Sequence, residues 1–118
     1  MDVLRRSTLA ERRPVDDPAR IRAMLDAYTL HVTAWEGERL LGVSTAWTDF
    51  AYSCYLADLA VDAACQGSGI GRRLVELTRE IAGPLTTLVL LSAPAAMGFY
   101  PRIGMDNATN CFVIRRER

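Results

Sequence analysis

The chain has too few metal-binding side chains to build a zinc site. His31 is its only imidazole, and Cys54, Cys65 and Cys111 lack close ligand spacing, so no metal is expected. An odd number of cysteines also argues against a disulfide framework. Cys54 and Cys111 fall in strand-like runs and read as small buried hydrophobes. No uninterrupted run approaches the ~18 apolar residues of a membrane span, and residues 1–6 lack the apolar core of a secretory signal. A cytoplasmic protein with no membrane partner is expected. Net charge is missing as well: 14 basic side chains balance 14 acidic ones, leaving no global field to recruit a polyanion. Arg5, Arg6, Arg12, Arg13, Arg20 and Arg22 are interleaved with Asp2, Glu11, Asp16, Asp17 and Asp26. They read as a solvated mixed surface, and no nucleic-acid partner is expected.

What is present is one core's worth of apolar sequence. With 118 residues, half of them hydrophobic, the chain is expected to form a single domain over 1–118, too short for a two-half dinucleotide fold. Asp16-Asp17-Pro18 offers an N-cap, and Ile21, Met24, Leu25 and Tyr28 follow at helical spacing, so a helix should end near Ala27. Alternation from Leu30 to Trp35 and again from Leu40 to Trp47, around Glu36-Gly37-Glu38, predicts a hairpin. Cys54 to Val61 is nearly continuous apolar sequence, as in a strand covered on both faces. Ile70, Leu74, Leu77 and Ile81 mark one face of a helix from about Ser68 to Ala82, which Gly83-Pro84 stops. Thr87 to Leu91 reads as a strand, Pro94 to about Tyr100 as a short helix, and Cys111 to Arg115 as a last strand. The strand, helix and strand from 54 to 91 form a parallel crossover, whereas the earlier hairpin is antiparallel.

Between that central strand and the long helix lies Gln66-Gly67-Ser68-Gly69-Ile70-Gly71-Arg72-Arg73. Glycines at 67, 69 and 71 let the backbone turn sharply and come close to a ligand. A helix starting here aims unpaired N–H groups, carrying roughly half a positive charge, at whatever sits above the loop. The bound group should be anionic, and phosphate fits. The dinucleotide fingerprint needs glycine at 72, where Arg72 stands, and the P-loop pattern needs a Gly-Lys-Ser/Thr ending that is absent.

The pattern Gln/Arg-x-x-Gly-x-Gly/Ala does fit, with Gln66, Gly69 and Gly71 in register. It resembles the pyrophosphate-binding signature of the GNAT acyl-CoA N-acyltransferases. Leu56-Ala57-Asp58-Leu59-Ala60-Val61-Asp62 is similar to that family's central strand, and Ala96-Met97-Gly98-Phe99-Tyr100 through Met105 to its Ala-x-x-Phe-Tyr-x-x-x-Gly-Phe segment. The resemblance covers roughly residues 29 to 116. It implies an α/β fold of the α+β mixed-sheet kind: a central mixed sheet with helices on both faces, here with a shortened amino-terminal part. It also implies a V-shaped gap in the sheet that admits the pantetheine arm of acetyl-CoA. By the same resemblance, backbone groups of Leu59, Ala60 and Val61 would bind the pantetheine amides. N–H groups from Gly67 through Ser68, Gly69, Ile70 and Gly71 to Arg72 would hold the pyrophosphate. Arg72 and Arg73 stand in a first turn, where a cation is unfavourable unless an anion binds nearby. Each reads either as a CoA-phosphate contact or as a solvated side chain, and Gln66 either as a loop cap or as a ligand contact.

For chemistry, the resemblance implies that Tyr100 donates to the departing thiolate; its other reading is core packing. The slots at Tyr55 and Ala57, where relatives often carry Glu or His, carry neither. Asp58 is the best carboxylate for a base and reads equally as a structural group within the sheet, while Asp62 reads as the end of the strand and His31 as structural. Trp35, Trp47, Phe50, Tyr52 and Tyr55 are candidates for an acceptor wall suited to an aryl or apolar amine. The function implied is transfer of an acetyl group from acetyl-CoA to a small-molecule primary amine, or a peptide amine, by direct attack in a ternary complex. The alternative is an acyl-CoA-binding regulatory module without transfer. A homodimer would supply the wall that the short amino-terminal part leaves out, and a monomer is equally compatible.

Overall fold

The computed structural model describes residues 16–117. The charge pattern over Arg5, Arg6, Arg12 and Arg13 and the residues 1–6 considered for a signal lie outside the described residues. Helix α1 (Pro18–Ala27) begins where Asp17 accepts a hydrogen bond from the Arg20 N–H at 3.2 Å. Pro18 takes an early position at which its missing N–H costs nothing. Ile21 is the residue this helix buries, and with Met24 and Leu25 it packs on Ala60 and Val43.

Strands β1 (Leu30–Glu36) and β2 (Arg39–Thr48) form the expected hairpin, closed by Glu36 opposite Arg39. β2 pairs antiparallel with β3 (Ser53–Val61), which pairs parallel with β4 (Thr87–Val89), giving the order β1-β2-β3-β4. Helix α2 (Ile70–Ala82) makes the crossover between the parallel strands. A four-residue helix α3 (Phe99–Arg102) follows β4.

Side-chain alternation divides the sheet into two faces. The Ser44 and Thr78 hydroxyls lie 2.7 Å apart, which puts Ser44 under α2, and Thr78 also donates to the Leu74 carbonyl at 2.7 Å. The neighbouring Val43 packs with α1. Helices therefore cover both faces. Leu30, Val32, Ala46, Cys54, Val61 and Leu74 form the core on the α2 side.

β3 changes parity part-way. Thr45 lies opposite Asp58 and Ala46 opposite Leu56, so Ala57 is an extra residue, a bulge. Cys54 and Val61 stand an odd number of positions apart and would face opposite ways in a regular strand, yet the bulge gives both to one core.

Three expectations are corrected. Of the expected α2 face, Leu74 is buried and Ile70 and Leu77 pack against the core, but Ile81 is exposed, and Val75, Thr78 and Ala82 are buried instead. The buried stripe is rotated because Thr78, polar by type, has its hydroxyl satisfied inside the seam. β4 ends at Val89 instead of Leu91. Residues 111–115 form no strand: Phe112 is 93% and Ile114 101% exposed, and Cys111 is exposed. Their β-forming composition has no paired neighbour among the described residues, and a strand needs one. Cys54 is buried as expected, and burial pushes its thiol up.

Candidate active site

β3 and β4 stay together for three rungs only: Ser53 with Thr87, Cys54 with Leu88 and Tyr55 with Val89. From Leu56 to Val61 no strand among the described residues is paired to that edge. A cleft of about 540 Å³ opens there. Leu56, Ala57, Leu59, Ala60 and Val61 form one wall, Leu90 and Leu91 with Phe99 and Tyr100 line it too, and the glycine loop lies at its far end.

The loop is anchored through Asp62. Its N–H donates to the Leu41 carbonyl at 2.7 Å, and its carboxylate accepts from the Ala64 N–H at 3.0 Å and from Arg39 at 2.7 Å. The short turn Ala63–Cys65 that follows is thereby fixed to β2. The hydrogen bond to Asp62 holds the Arg39 guanidinium above its ordinary value. Gln66 Nε2 donates to the Val61 carbonyl at 3.2 Å, tying the loop back to β3, and the Ser68 hydroxyl donates to the Cys65 carbonyl.

Gly67 (φ 86°) and Gly69 (φ 91°) hold backbone conformations that side chains disfavour. Gly71 meets a different demand: a Cβ there would stand 3.3 Å from the Phe99 ring. The first bond of α2 runs from the Arg73 N–H to the Gly69 carbonyl at 3.0 Å. The N–H groups of Ile70, Gly71 and Arg72 thus have no acceptor within the helix, and Gly69 brings no side-chain cap. Arg72 borders the cleft and lies 4.0 Å from Glu76; Arg73 lies 3.7 Å from Glu80.

Tyr100 is half-buried in the cleft wall, edge-on to Phe99 at 5.0 Å between ring centres. Asp58 is only 5% exposed and accepts from the Thr45 hydroxyl at 2.8 Å. It does not line the cleft. It faces the α1 side with Thr45, because the adjacent Ser44 faces α2. The five candidate acceptor-wall aromatics separate. Trp47 and Tyr55 are register partners, Phe50 and Tyr52 lie in the β2–β3 connection, and Trp35 stands beside the β1–β2 turn, donating to the Thr33 hydroxyl at 2.9 Å. His31 is exposed and edge-on to Tyr28 at 6.0 Å. Asp49 organises the β2–β3 connection by accepting from the N–H groups of Ala51, Tyr52 and Ser53, which holds its carboxyl down at about 2.

Phe99 and Arg102 also line the cleft and were not singled out from the sequence. The signal was available: Phe99 stands beside Tyr100, and α3 turns both inward.

The sequence model of the acetyltransferase (GNAT) family matches residues 2–105. This chain belongs to the GNAT acetyltransferase family. Solved structures agree on the fold. A protein from Deinococcus radiodurans R1 assigned as an acetyltransferase superposes with a TM-score of 0.69 at 23% identity, over 83% of this chain and 69% of that one. A GNAT-family acetyltransferase from Streptococcus pneumoniae gives 0.65 at 22% identity, over 84% and 80%. A Bacillus anthracis protein assigned as a streptothricin acetyltransferase, solved in complex with acetyl coenzyme A, gives 0.57 at 21% identity, over 65% and 47%. Comparison with curated proteins gives no match. Among the described residues, no helix of this GNAT chain is long and apolar enough to cross a membrane.

Proposed function

We propose that this GNAT chain is an N-acetyltransferase of 118 residues forming one domain, moving the acetyl group of acetyl-CoA to a primary amine. The observation that carries the reading is the parting of β3 from β4 after Tyr55, with a phosphate-suited loop at the other end of the gap. A pantetheine arm can lie along the free edge of β3 as a strand would, its amides meeting backbone groups of Leu59, Ala60 and Val61. The diphosphate would sit over residues 67–72, where the N–H groups of Ile70, Gly71 and Arg72 at the helix N-terminus favour anions, the Ser68 N–H being engaged by the Cys65 carbonyl at 3.3 Å. Arg72 is placed to add a charge-assisted contact.

Acetyl-CoA supplies the activated carbonyl. The amine nitrogen attacks it with its lone pair, a C–N bond forms, the C–S bond breaks, and the sulfur leaves with the bonding electrons. Tyr100 stabilises that thiolate by donating a hydrogen bond. Full proton transfer from a phenol of pKa about 10 to a thiolate of about 8.5 is uphill by roughly 2 kcal/mol in water. The amine must also lose a proton, at about 4.6 kcal/mol for an alkylamine at pH 7. Asp58 is the proposed acceptor of that proton, through water, from the α1 face of the sheet.

A second reading rests on one observation: neither the β3 wall nor the β4 and α3 side of the cleft presents a carboxylate or imidazole. That favours an acyl-CoA-binding regulatory module. Thiol release from acetyl-CoA across an amine panel, alongside a calorimetric titration with CoA, separates the two. Release with at least one amine is expected; binding without release for every amine would establish the module instead.

A further inference from the structure

The cleft narrows to its apex at the last rung between β3 and β4, Tyr55 opposite Val89. Tyr55 is also the register partner of Trp47 on β2. Directly opposed residues share a face of a sheet, so Trp47, Tyr55 and Val89 form one row across three strands. The row faces α1, because Tyr28 at the end of that helix meets Trp47 edge-on at 6.1 Å between ring centres. It is open to solvent: Trp47 is 51%, Tyr55 40% and Val89 52% exposed. Two uncovered rings and a valine in one row, with the half-buried Tyr28 ring beside them, are the composition of a recognition surface.

Position gives the row its meaning. An arm that starts at the glycine loop and follows β3 from Val61 towards Leu56 reaches its tip beside Tyr55, since Leu56 and Ala57 are the last wall residues before the apex. The reacting amine must therefore arrive next to this row. Charge narrows the class further. A polyamine would need exposed carboxylates for its distal ammonium groups, but Asp58, behind the row, is buried against Thr45. Asp49, beside it, commits Oδ1 to three backbone N–H groups, so one carboxylate oxygen at most is left for a second charge. A single ammonium on an aromatic body matches the surface: the ring stacks on Trp47 and Tyr55, and the nitrogen lies towards the apex.

We infer that the acceptor is a primary amine carried on an aromatic ring, seated on Trp47 and Tyr55 and flanked by Tyr28. This rests on the N-acetyltransferase reading, and the test keeps the two apart. The chain has two tryptophans, and Trp35 stands beside the β1–β2 turn, away from the row. The Trp35→Phe protein therefore reports on Trp47 alone. With CoA present, phenethylamine is expected to change its fluorescence saturably, and putrescine at equal concentration is expected to leave it unchanged.

In the thiol-release assay, phenethylamine should exceed putrescine in kcat/KM by about tenfold or more. Trp47→Leu and Tyr55→Ala should each raise the phenethylamine KM by about tenfold, the scale of one lost aromatic contact. CoA affinity measured by calorimetry should stay unchanged in both, which also shows that the variants are folded. Putrescine matching phenethylamine, or an unchanged KM in both variants, overturns the acceptor class while transfer itself stands. A fluorescence change without thiol release keeps the aromatic seat and overturns transfer. Silence in both measurements overturns both.

Discussion

Arg39 Nη2 lies 2.7 Å from Asp62 Oδ2, joining the first residue of β2 to the residue that follows β3. The same carboxylate caps the turn that leads into the glycine loop. The pair therefore fixes where the loop stands relative to the sheet without lining the cleft. Asp62→Ala removes the ion pair and the cap together, the cap being worth about 1 kcal/mol of stability. CoA affinity is expected to fall several-fold, with kcat at saturating acetyl-CoA little changed. Asp62→Asn keeps an acceptor for the Ala64 N–H and should recover most of the affinity. Calorimetry on the two variants decides, and equal CoA affinity in parent and alanine variant would remove the positioning role.

Tyr100→Phe keeps the edge-on packing against Phe99 and deletes one hydroxyl. Turnover should drop by about tenfold or more while the CoA dissociation constant holds, because the hydroxyl matters only once the sulfur carries charge. Unchanged turnover would take Tyr100 out of the chemistry and leave it as packing.

Asp58→Asn preserves the shape of the side chain and an oxygen for the Thr45 hydroxyl while removing the charge. If the carboxylate takes the amine proton, kcat falls and the rate becomes more dependent on raising the pH, with CoA binding intact. A variant that turns over like the parent across pH 6 to 9 would reduce Asp58 to a structural link between β2 and β3.

The carboxyl of Asp49 sits at about 2 against an ordinary value of 3.8. A lowered folded-state value means the carboxylate form stabilises the fold above about pH 4, and that contribution drains away as pH falls through 2. The stability gap between the parent and Asp49→Ala should thus be largest at neutral pH and close towards pH 2, as denaturant titrations at several pH values would reveal. A gap independent of pH would mean that the three N–H bonds to this side chain contribute nothing through its charge.

Much of this architecture was legible because its signals are local. Glycines at 67 and 69 announce positive φ, Asp17-Pro18 announces a helix start, and the apolar run from 54 to 61 announces a central strand. Alternation with Leu59 does put Asp58 on the opposite face, as the register with Ser44 and Thr45 bears out, but the bulge at Ala57 resets the count towards Tyr55, and only pairing with β2 discloses that. Thr78 misled the helix pattern for a related reason: its hydroxyl meets Ser44, remote in sequence, as well as the Leu74 carbonyl of its own helix. The aromatic candidates looked equivalent as letters. Strand register alone places Trp47 beside Tyr55 and leaves Trp35 beside the other turn. The last strand failed because composition can favour an extended chain but cannot provide its neighbour.

The Ser44 and Thr78 hydroxyls meet in a dry seam two turns along α2 from its open end. Rolling the helix by one residue would strand the Ser44 hydroxyl without a partner, while Thr78 would keep only the Leu74 carbonyl of its own helix, so the helix has a preferred seat on the sheet. The aim of its first-turn amides is inherited from that seat. A conservative-looking Thr78→Val exchange, remote from every ligand-facing atom, should accordingly loosen the grip on the diphosphate.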